Sequence, residues 1–362
     1  MRRQPITPTG PRRAVLLTTA LLAAALLAAC GSGGGGASSS PSTTSGGASG
    51  SLRLGFLPNL TQASALIGVE NGAFAKALGS GVKLTTSSFT AGPAETQALF
   101  SGALDAAFIG PGPAVNAYEK SHGAAIRIIA GATSGGAGLV VDSHIHSVAQ
   151  LKGTKIATPQ LGNTQDIALR YYLLQHGIKT TTAGGGEVDI VNPAKNSEAV
   201  QLFATGGIQG AWLPEPYLSE MLAEGGHLLV DERTLWPGGR FATTLLAVRT
   251  AYLAANPGIV KALLTGQVQA VDTLEQNPTA ARAEVNSDLK ALTGKDLSAT
   301  DLAGAFSRTT FTVDPLETTV VAEAAHAYAV GLISKPGNLS GLFDLGPLNA
   351  VLTSLGQPTV KE

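Results

Sequence analysis

The 362-residue chain is long enough for two ordinary domains. Its 24 basic and 25 acidic side chains leave a net charge of −1, which argues against a general nucleic-acid surface. Charged residues make up only 14% while glycines number 45, so long charged helices are scarce and turns abundant. A single cysteine excludes an internal disulfide framework, cysteine zinc clusters and a redox pair.

Arg2, Arg3, Arg12 and Arg13 precede the uncharged run 14–29, which ends in Leu27-Ala28-Ala29-Cys30. A charged start, an apolar stretch and small residues before a cut make residues 1–29 a secretory signal peptide. The run is shorter than the ~20 residues needed to cross a bilayer. Leu-small-small-Cys resembles a bacterial lipobox, so Cys30 is the expected lipidation site, with export by either the general or the twin-arginine route. Beyond Cys30, residues 31–50 hold only Gly, Ser, Ala, Thr and Pro. Such a segment buries nothing, so residues 30–50 read as a flexible tether spanning roughly 25 Å. Removing residues 1–29 takes the net charge from −1 to −5.

From Ser51 onward the pattern is strand, loop, helix. Leu52 to Phe56 predicts a strand, and a Pro58-Asn59 turn leads to a helix that Thr61 can cap and that runs to about Leu78. Leu84 to Phe89 predicts a second strand. Pro93 suits a first helical position and Glu95 the positive helix end, and Gly102 stops that helix. Leu104 to Ile109 is the next strand, delivering a loop Gly110-Pro111-Gly112-Pro113. Lys155 to Thr158 predicts a strand, Leu161 to Thr164 a loop, and about Gln165 to His176 a helix whose apolar face carries Ile167, Tyr171 and Leu174. Thr243 to Val248 is a late strand, and the rest reads as helical, with Pro257 and Pro278 near helix starts.

A repeat runs through this pattern. Glu198, Leu202, Phe203, Gly206, Ile208, Trp212 and Pro216 stand to Glu95, Leu99, Phe100, Gly102, Leu104, Phe108 and Gly112 in the same order. Each copy follows a strand of its own, Leu84 to Phe89 and Glu187 to Val191. Two similar α/β lobes are therefore expected: residues 51–138 and 241–362 form lobe one, residues 139–240 form lobe two, and two crossing strands near Leu139 and Phe241 form the hinge.

Ligands of open parallel sheets sit outside the carboxyl ends of the strands, where helix starts offer unpaired N–H groups and a positive dipole end. The candidate pocket residues at those places are Asn59, Thr61, Gln62, Gly92, Gly110, Asn163, Thr164, Gln165, Trp212 and Glu215. They supply neutral donors and close backbone approach, suited to a small sulfonate, nitrate or carboxylate. Structural roles stay open beside this: Asn59, Thr61 and Asn163 as helix caps, the glycines as turn formers, Trp212 as core. Glu215, if it points inward, selects an amine; Arg240 either meets ligand or spans the lobes. His144 and His146 flank Ile145, a spacing that can bind a metal, but the segment reads as a surface loop. Recognised catalytic, nucleotide-binding and metalloprotease motifs are missing, so no catalytic residues, metal or cofactor are expected.

The runs Gly55 to Thr61, Phe89 to Pro93, Gly102 to Asp105, Gly162 to Asp166 and Trp212 to Tyr217 resemble those of the aliphatic sulfonate, taurine and nitrate solute-binding proteins of ABC importers. The resemblance spans residues 51–362. It implies an α/β, two-lobed type II periplasmic-binding-protein fold, each lobe a mixed sheet flanked by helices and joined by two hinge strands. It also implies a monomeric, lipid-anchored receptor on the outer face of the cell membrane. Such a receptor hands a small anion or zwitterion to a permease with a cytoplasmic ATPase, without chemistry on it. Two alternatives remain: a pyrimidine or thiamine-precursor binding protein or related enzyme, though that enzyme's cysteine-rich motif is missing, and a sensory ligand-binding subunit.

Overall fold

The computed structural model describes residues 49–361. The expected signal peptide, Cys30 and all but the last two residues of the tether lie outside the described residues.

The first pass along the chain builds most of one sheet. It runs β1 (Gly50–Phe56), α1 (Ala63–Glu70), α2 (Ala73–Leu78), β2 (Val82–Ser88), α3 (Gly92–Phe100), β3 (Ala106–Ile109), α4 (Pro111–Lys120) and β4 (Ile126–Gly135). The second sheet follows with β5 (Ala137–Val141), β6 (Lys155–Ala157), α5 (Thr164–Gln175), β7 (Asp189–Val191), α6 (Asn196–Ala204), β8 (Gly210–Pro214), α7 (Tyr217–Ala223) and β9 (His227–Asp231). The chain then returns to the first sheet through β10 (Ala242–Arg249). It ends with α8 (Thr250–Ala255), α9 (Pro257–Gln276), α10 (Pro278–Thr293), α11 (Ala299–Ser307), β11 (Thr309–Phe311), α12 (Glu317–Ala329) and α13 (Gly346–Ser354).

Sheet one has the order β11-β4-β10-β3-β1-β2 and sheet two the order β7-β6-β8-β5-β9. Both are mixed, and they share a plan. In sheet one β1 lies parallel between β2 and β3, and β10 joins β3 antiparallel. In sheet two β6 lies parallel between β7 and β8, and β5 joins β8 antiparallel. The sequence repeat maps onto this plan: α3 matches α6, β3 matches β8, and the helix-stopping glycines adopt the same left-handed conformation, φ 72° at Gly102 and φ 73° at Gly206. Only glycine reaches that region at no steric cost.

Strands flanked on both sides bury both faces, which explains why β3 and β8 are apolar throughout rather than alternating. Helices cover each face. The first sheet packs one face through Leu52, Leu54 and Phe108 against Phe74, Leu263 and Val351. Its other face meets α3, α4 and α12 through Leu99, Val115 and Val320. In sheet two, Leu139 and Val141 point to the α5 side while Val140 faces α6 and α7.

The structure departs from the sequence expectation in four places. The helix expected to run to Leu78 breaks at Asn71-Gly72, where Gly72 has φ 75°. The expected loop at Gly110 to Pro113 is already helix: Pro111 occupies N1 of α4, where its missing N–H costs nothing. The buried face of α5 carries Ile167, Leu169, Arg170 and Leu173, whereas Leu174 is 42% exposed. Arg170 enters the core because its guanidinium pairs with buried Asp166, 2.9 Å away. Finally, the three-residue β11 interrupts the expected helical tail; it pairs with β4, a long-range contact that no local pattern announces.

Candidate functional site

Four helices of eight residues or more start at the carboxyl ends of parallel strands and face one cavity: α3 after β2, α4 after β3, α5 after β6 and α6 after β7. Their N-cap residues are Ala91, Gly110, Asn163 and Lys195, and at none of them does the N-cap side chain bond its own helix's first amides. Gly112 N, the one N–H between Pro111 and Pro113 at the start of α4, is nevertheless taken by Thr164 Oγ1 of the other sheet. The first-turn amides free of side-chain caps are therefore those of α3, α5 and α6, while the helix dipoles place four partial positive charges around the same space.

The cavity has about 380 Å³ free of protein atoms, with room for little more than one water in its interior. Sheet one contributes Leu57, Asn59, Thr61, Gln62, Thr90, Gly92, Gly110, Thr243 and Thr244. Sheet two contributes Pro159, Asn163, Thr164, Gln165, Asn196 and Pro214. None of these lining residues is charged or aromatic, and the polar ones are nearly all buried. Gln62 is held rigid: its Oε1 accepts from Leu57 N at 2.6 Å and its Nε2 donates to Phe108 O at 2.8 Å. Asn196 is 7% exposed and its Oδ1 has no protein partner.

Eight of the ten residues nominated from sequence line this cavity: Asn59, Thr61, Gln62, Gly92, Gly110, Asn163, Thr164 and Gln165. Asn59 and Asn163 hold N-cap positions but make no side-chain cap bond. Trp212 and Glu215 are placed elsewhere. Trp212 is fully buried within sheet two, its Nε1 donating to Glu232 Oε2 at 2.7 Å, because a strand between two neighbours sends that side chain into the core. Glu215 is also fully buried, but its Oε1 accepts from Arg308 Nε at 2.7 Å and its Oε2 from Ser219 N at 3.1 Å, so it meets no ligand amine. Burial pushes its pKa above the usual carboxylate value, against the pull of Arg308. Arg240 is more than half exposed beside Asp314 and does not line the cavity.

The residues that sequence reasoning missed are instructive. Asn196 starts α6 as Gly92 starts α3, so the repeat, which sets Asn196 opposite Pro93, pointed to that helix start within one residue. Thr243 and Thr244 open β10, where the chain re-enters sheet one; a Thr-Thr pair at a strand start carries no functional signal by itself. Thr243 Oγ1 donates to Gly135 O, tying β10 to the end of β4.

Contacts between groups on the two sheets' elements close around the cavity. Gly112 N donates to Thr164 Oγ1 at 3.2 Å, and Leu60 N donates to Glu215 O at 3.1 Å. Arg308, just before β11, adds a bond to Ser219 Oγ at 2.7 Å. Outside the cavity lies a wider vestibule of about 1150 Å³, counting space open to solvent, which shares Asn59, Thr90 and Asn196 with it. Phe89, Tyr217 and Leu292 give the vestibule apolar surface; Lys195 and Lys295 give it positive charge, the latter paired with Glu220 at 2.9 Å.

Among the described residues no group of three His, Cys, Asp or Glu side chains is placed to hold a metal ion, and no helix is long and apolar enough to cross a membrane.

Comparison with known proteins fits this architecture. The alkanesulfonate-binding protein SsuA from Xanthomonas axonopodis pv. citri, solved bound to MOPS, superposes with a TM-score of 0.68 at 20% identity, covering 82% of this chain and 98% of that one. The periplasmic nitrate-binding protein NrtA from Synechocystis PCC 6803 superposes with a TM-score of 0.67 at 15% identity, covering 85% and 89%. At these identities the likeness establishes the fold: two mixed sheets flanked by helices, as in periplasmic binding proteins. Proteins of Brucella abortus and Brucella suis, named as binding proteins, are 28% identical over 263 residues, 69% of this chain and 78% of theirs. The model of the NMT1-like family matches residues 46–288, two thirds of the sequence. The chain belongs to the NMT1-like family.

Proposed function

We propose that this chain is the solute-binding component of an ABC importer and that it encloses a small oxyanion, a sulfonate or nitrate, between two lobes. One observation carries the reading: four helix starts, three of them with first-turn amides free of side-chain caps, converge on a buried cavity whose lining carries no charge. Converging amides and dipoles stabilise a negative charge without a fixed cation. A neutral heterocycle such as a pyrimidine finds no aromatic face there on which to stack. A taurine-like zwitterion finds no carboxylate for its amine, since Glu215 is committed to Arg308. The names of SsuA and NrtA, as alkanesulfonate and nitrate binders, agree with this class. The narrow interior suits an oxyanion head, and the vestibule, with Phe89 and Leu292, suits an organic tail.

In this reading the lobes are residues 51–138 with 241–362, and 139–240, and closing over the ligand is the whole mechanism. Ligand shifts the equilibrium only by binding the closed form better than the open one. None of the lining residues titrates near neutral pH, which supports capture and release rather than chemistry. Cys30 is the proposed lipid anchor, placing the receptor outside the cytoplasm beside its permease.

The test is thermal unfolding of residues 49–361 with nitrate, methanesulfonate, longer alkanesulfonates, taurine and a pyrimidine. A ligand at a hundred times its dissociation constant adds about 2.7 kcal/mol, which for a folded part of this size raises Tm by roughly 4 °C. Stabilisation by the pyrimidine and by no oxyanion would overturn the ligand class.

A further inference from the structure

A second cavity, sharing no lining residue with the first, lies between α5, the segment after β9, and α12. It has about 730 Å³, counting space open to solvent. Its walls are aromatic. Tyr171 and Tyr172 come from α5 and Trp236 from the segment after β9; His326 comes from α12 and stacks on Tyr171 with ring centroids 3.7 Å apart. Trp236 lies 5.4 Å from the His326 ring.

Two carboxyl groups also line this cavity. Glu232 is 2% exposed and accepts from Trp212 Nε1; Glu323 is 3% exposed, and its Oε1 has no hydrogen-bond partner. Among the described residues, no Lys or Arg pairs with either. The other titratable groups around them are the Tyr171 and Tyr172 phenols and His176 on α5, Asp231 beside Glu232, which is paired with Arg233, and His326, whose Nδ1 stands 4.0 Å from Glu323 Oε2. A buried, unpartnered carboxyl oxygen is costly unless a donor meets it.

We propose that this cavity binds an organic ammonium ion, held by the carboxyl groups of Glu323 and Glu232 and by the aromatic faces of Tyr171, Tyr172 and Trp236. Cations are attracted to ring faces, and a carboxylate supplies the countercharge. An anion would meet two carboxyl groups, and a neutral apolar guest would leave Glu323 Oε1 unpartnered. Burial keeps both acids protonated more than usual, Glu232 with its pKa pushed up to about 7, and burial holds His326 down at about 4, so it stays neutral and offers a ring face. The arriving ammonium ion therefore displaces a proton from a carboxyl group, and binding strengthens as pH rises.

The experiment uses choline and benzylamine as probes. Both tryptophans of the chain report on this cavity, Trp236 from its wall and Trp212 through Glu232, so intrinsic fluorescence follows binding directly. Calorimetry in two buffers of different ionisation heat counts the released proton. Expected are saturable binding at millimolar probe or below, affinity that rises between about pH 5.5 and about pH 8, and a loss of about tenfold or more in Glu323→Gln. Glutamine matches the protonated acid in shape, so this variant folds; Trp236→Leu weakens binding independently. No saturable signal with either probe, binding independent of pH, or full affinity in Glu323→Gln would overturn the proposal. Neither probe is an oxyanion, so failure here leaves the reading of the first cavity intact.

Discussion

Gly112 offers a way to separate lobe closure from lobe folding. It lies in the first turn of α4 and does not adopt a left-handed backbone, so alanine fits its conformation. A Cβ there would stand 2.7 Å from Ile167 Cδ1, 3.0 Å from Thr164 N and 3.2 Å from Thr164 Cα. All three atoms belong to α5, on the other sheet. Ile167 can swing aside, but the backbone of Thr164 cannot, so on the proposed two-lobe reading the substitution wedges the closed form while leaving lobe one's own packing untouched. Overpacking of this kind costs about 1–3 kcal/mol. If closure is what binds ligand, Gly112→Ala weakens affinity by about 5- to 150-fold. Within α4 itself the change is favourable, since glycine in a helix interior is up to about 1 kcal/mol worse than alanine. Stability without ligand should therefore change less than binding does. The assay is calorimetric titration with the best oxyanion from the screen, beside urea unfolding of the ligand-free chain. Full affinity in Gly112→Ala would refute the closing-jaw argument. A stability loss as large as the binding loss would show that the two sheets do not separate.

Other substitutions probe the remaining contacts. Asn163→Ala combined with Thr164→Ala removes two cavity donors from the start of α5 and should weaken oxyanion binding well beyond its effect on urea unfolding; equal losses would take that helix start out of the site. Arg308→Met leaves Glu215 buried without its cation and should destabilise by about 3 kcal/mol at neutral pH, and by less in acid, where Glu215 protonates; equal destabilisation at both pH values would contradict the pairing. Glu232, with a folded pKa of about 7 against an unfolded value of about 4.5, contributes stability that is full below the unfolded value and is lost as pH rises to 7, about 3 kcal/mol in all. His326 acts oppositely: its folded pKa of about 4 gives stability that is full above about 6.5 and is lost as pH falls. Glu232→Gln should therefore gain on the parent chain as pH rises, by about 3 kcal/mol, in urea titrations across that range; a constant difference would refute the assignment.

What was legible in the sequence followed local rules. Helix starts after parallel strands carry Pro, Asn, Thr and Gly for reasons of backbone geometry, and the same residues supply neutral donors, so Asn59, Gly92 and Asn163 could be nominated without knowing the fold. Trp212 and Glu215 were misjudged because position at a strand end does not reveal which partner a side chain finds. The partner of Glu215 is Arg308, 93 residues away, and that of Trp212 is Glu232 across the lobe. The face of α5 was misread for a similar reason. Spacing favoured Tyr171 and Leu174, but an Asp166–Arg170 pair can be buried once both charges are matched, which apolar periodicity does not register. The second cavity gave no sequence signal, since its walls come from three segments spanning residues 168–326.

On the proposed reading, the duplicated plan lets an anion be held here by neutral groups. In each sheet a parallel triplet, β2-β1-β3 or β7-β6-β8, sends its helix starts out of the same edge, and β10 and β5 carry the chain between sheets beside those edges. Setting the two edges face to face doubles the number of inward-pointing amides without adding a charged side chain. A buried lysine or arginine would hold an anion more tightly, but it would need a partner in the open form, as Arg308 needs Glu215, or carry the penalty of an unpaired buried charge. Backbone amides are rehydrated at little cost when the lobes part. On this argument, introducing a cation at the start of α6, Asn196→Lys, should tighten oxyanion binding through slower dissociation while destabilising the ligand-free chain. An unchanged off-rate, measured by stopped flow, would show that the four helix starts do not set the hold on the ligand.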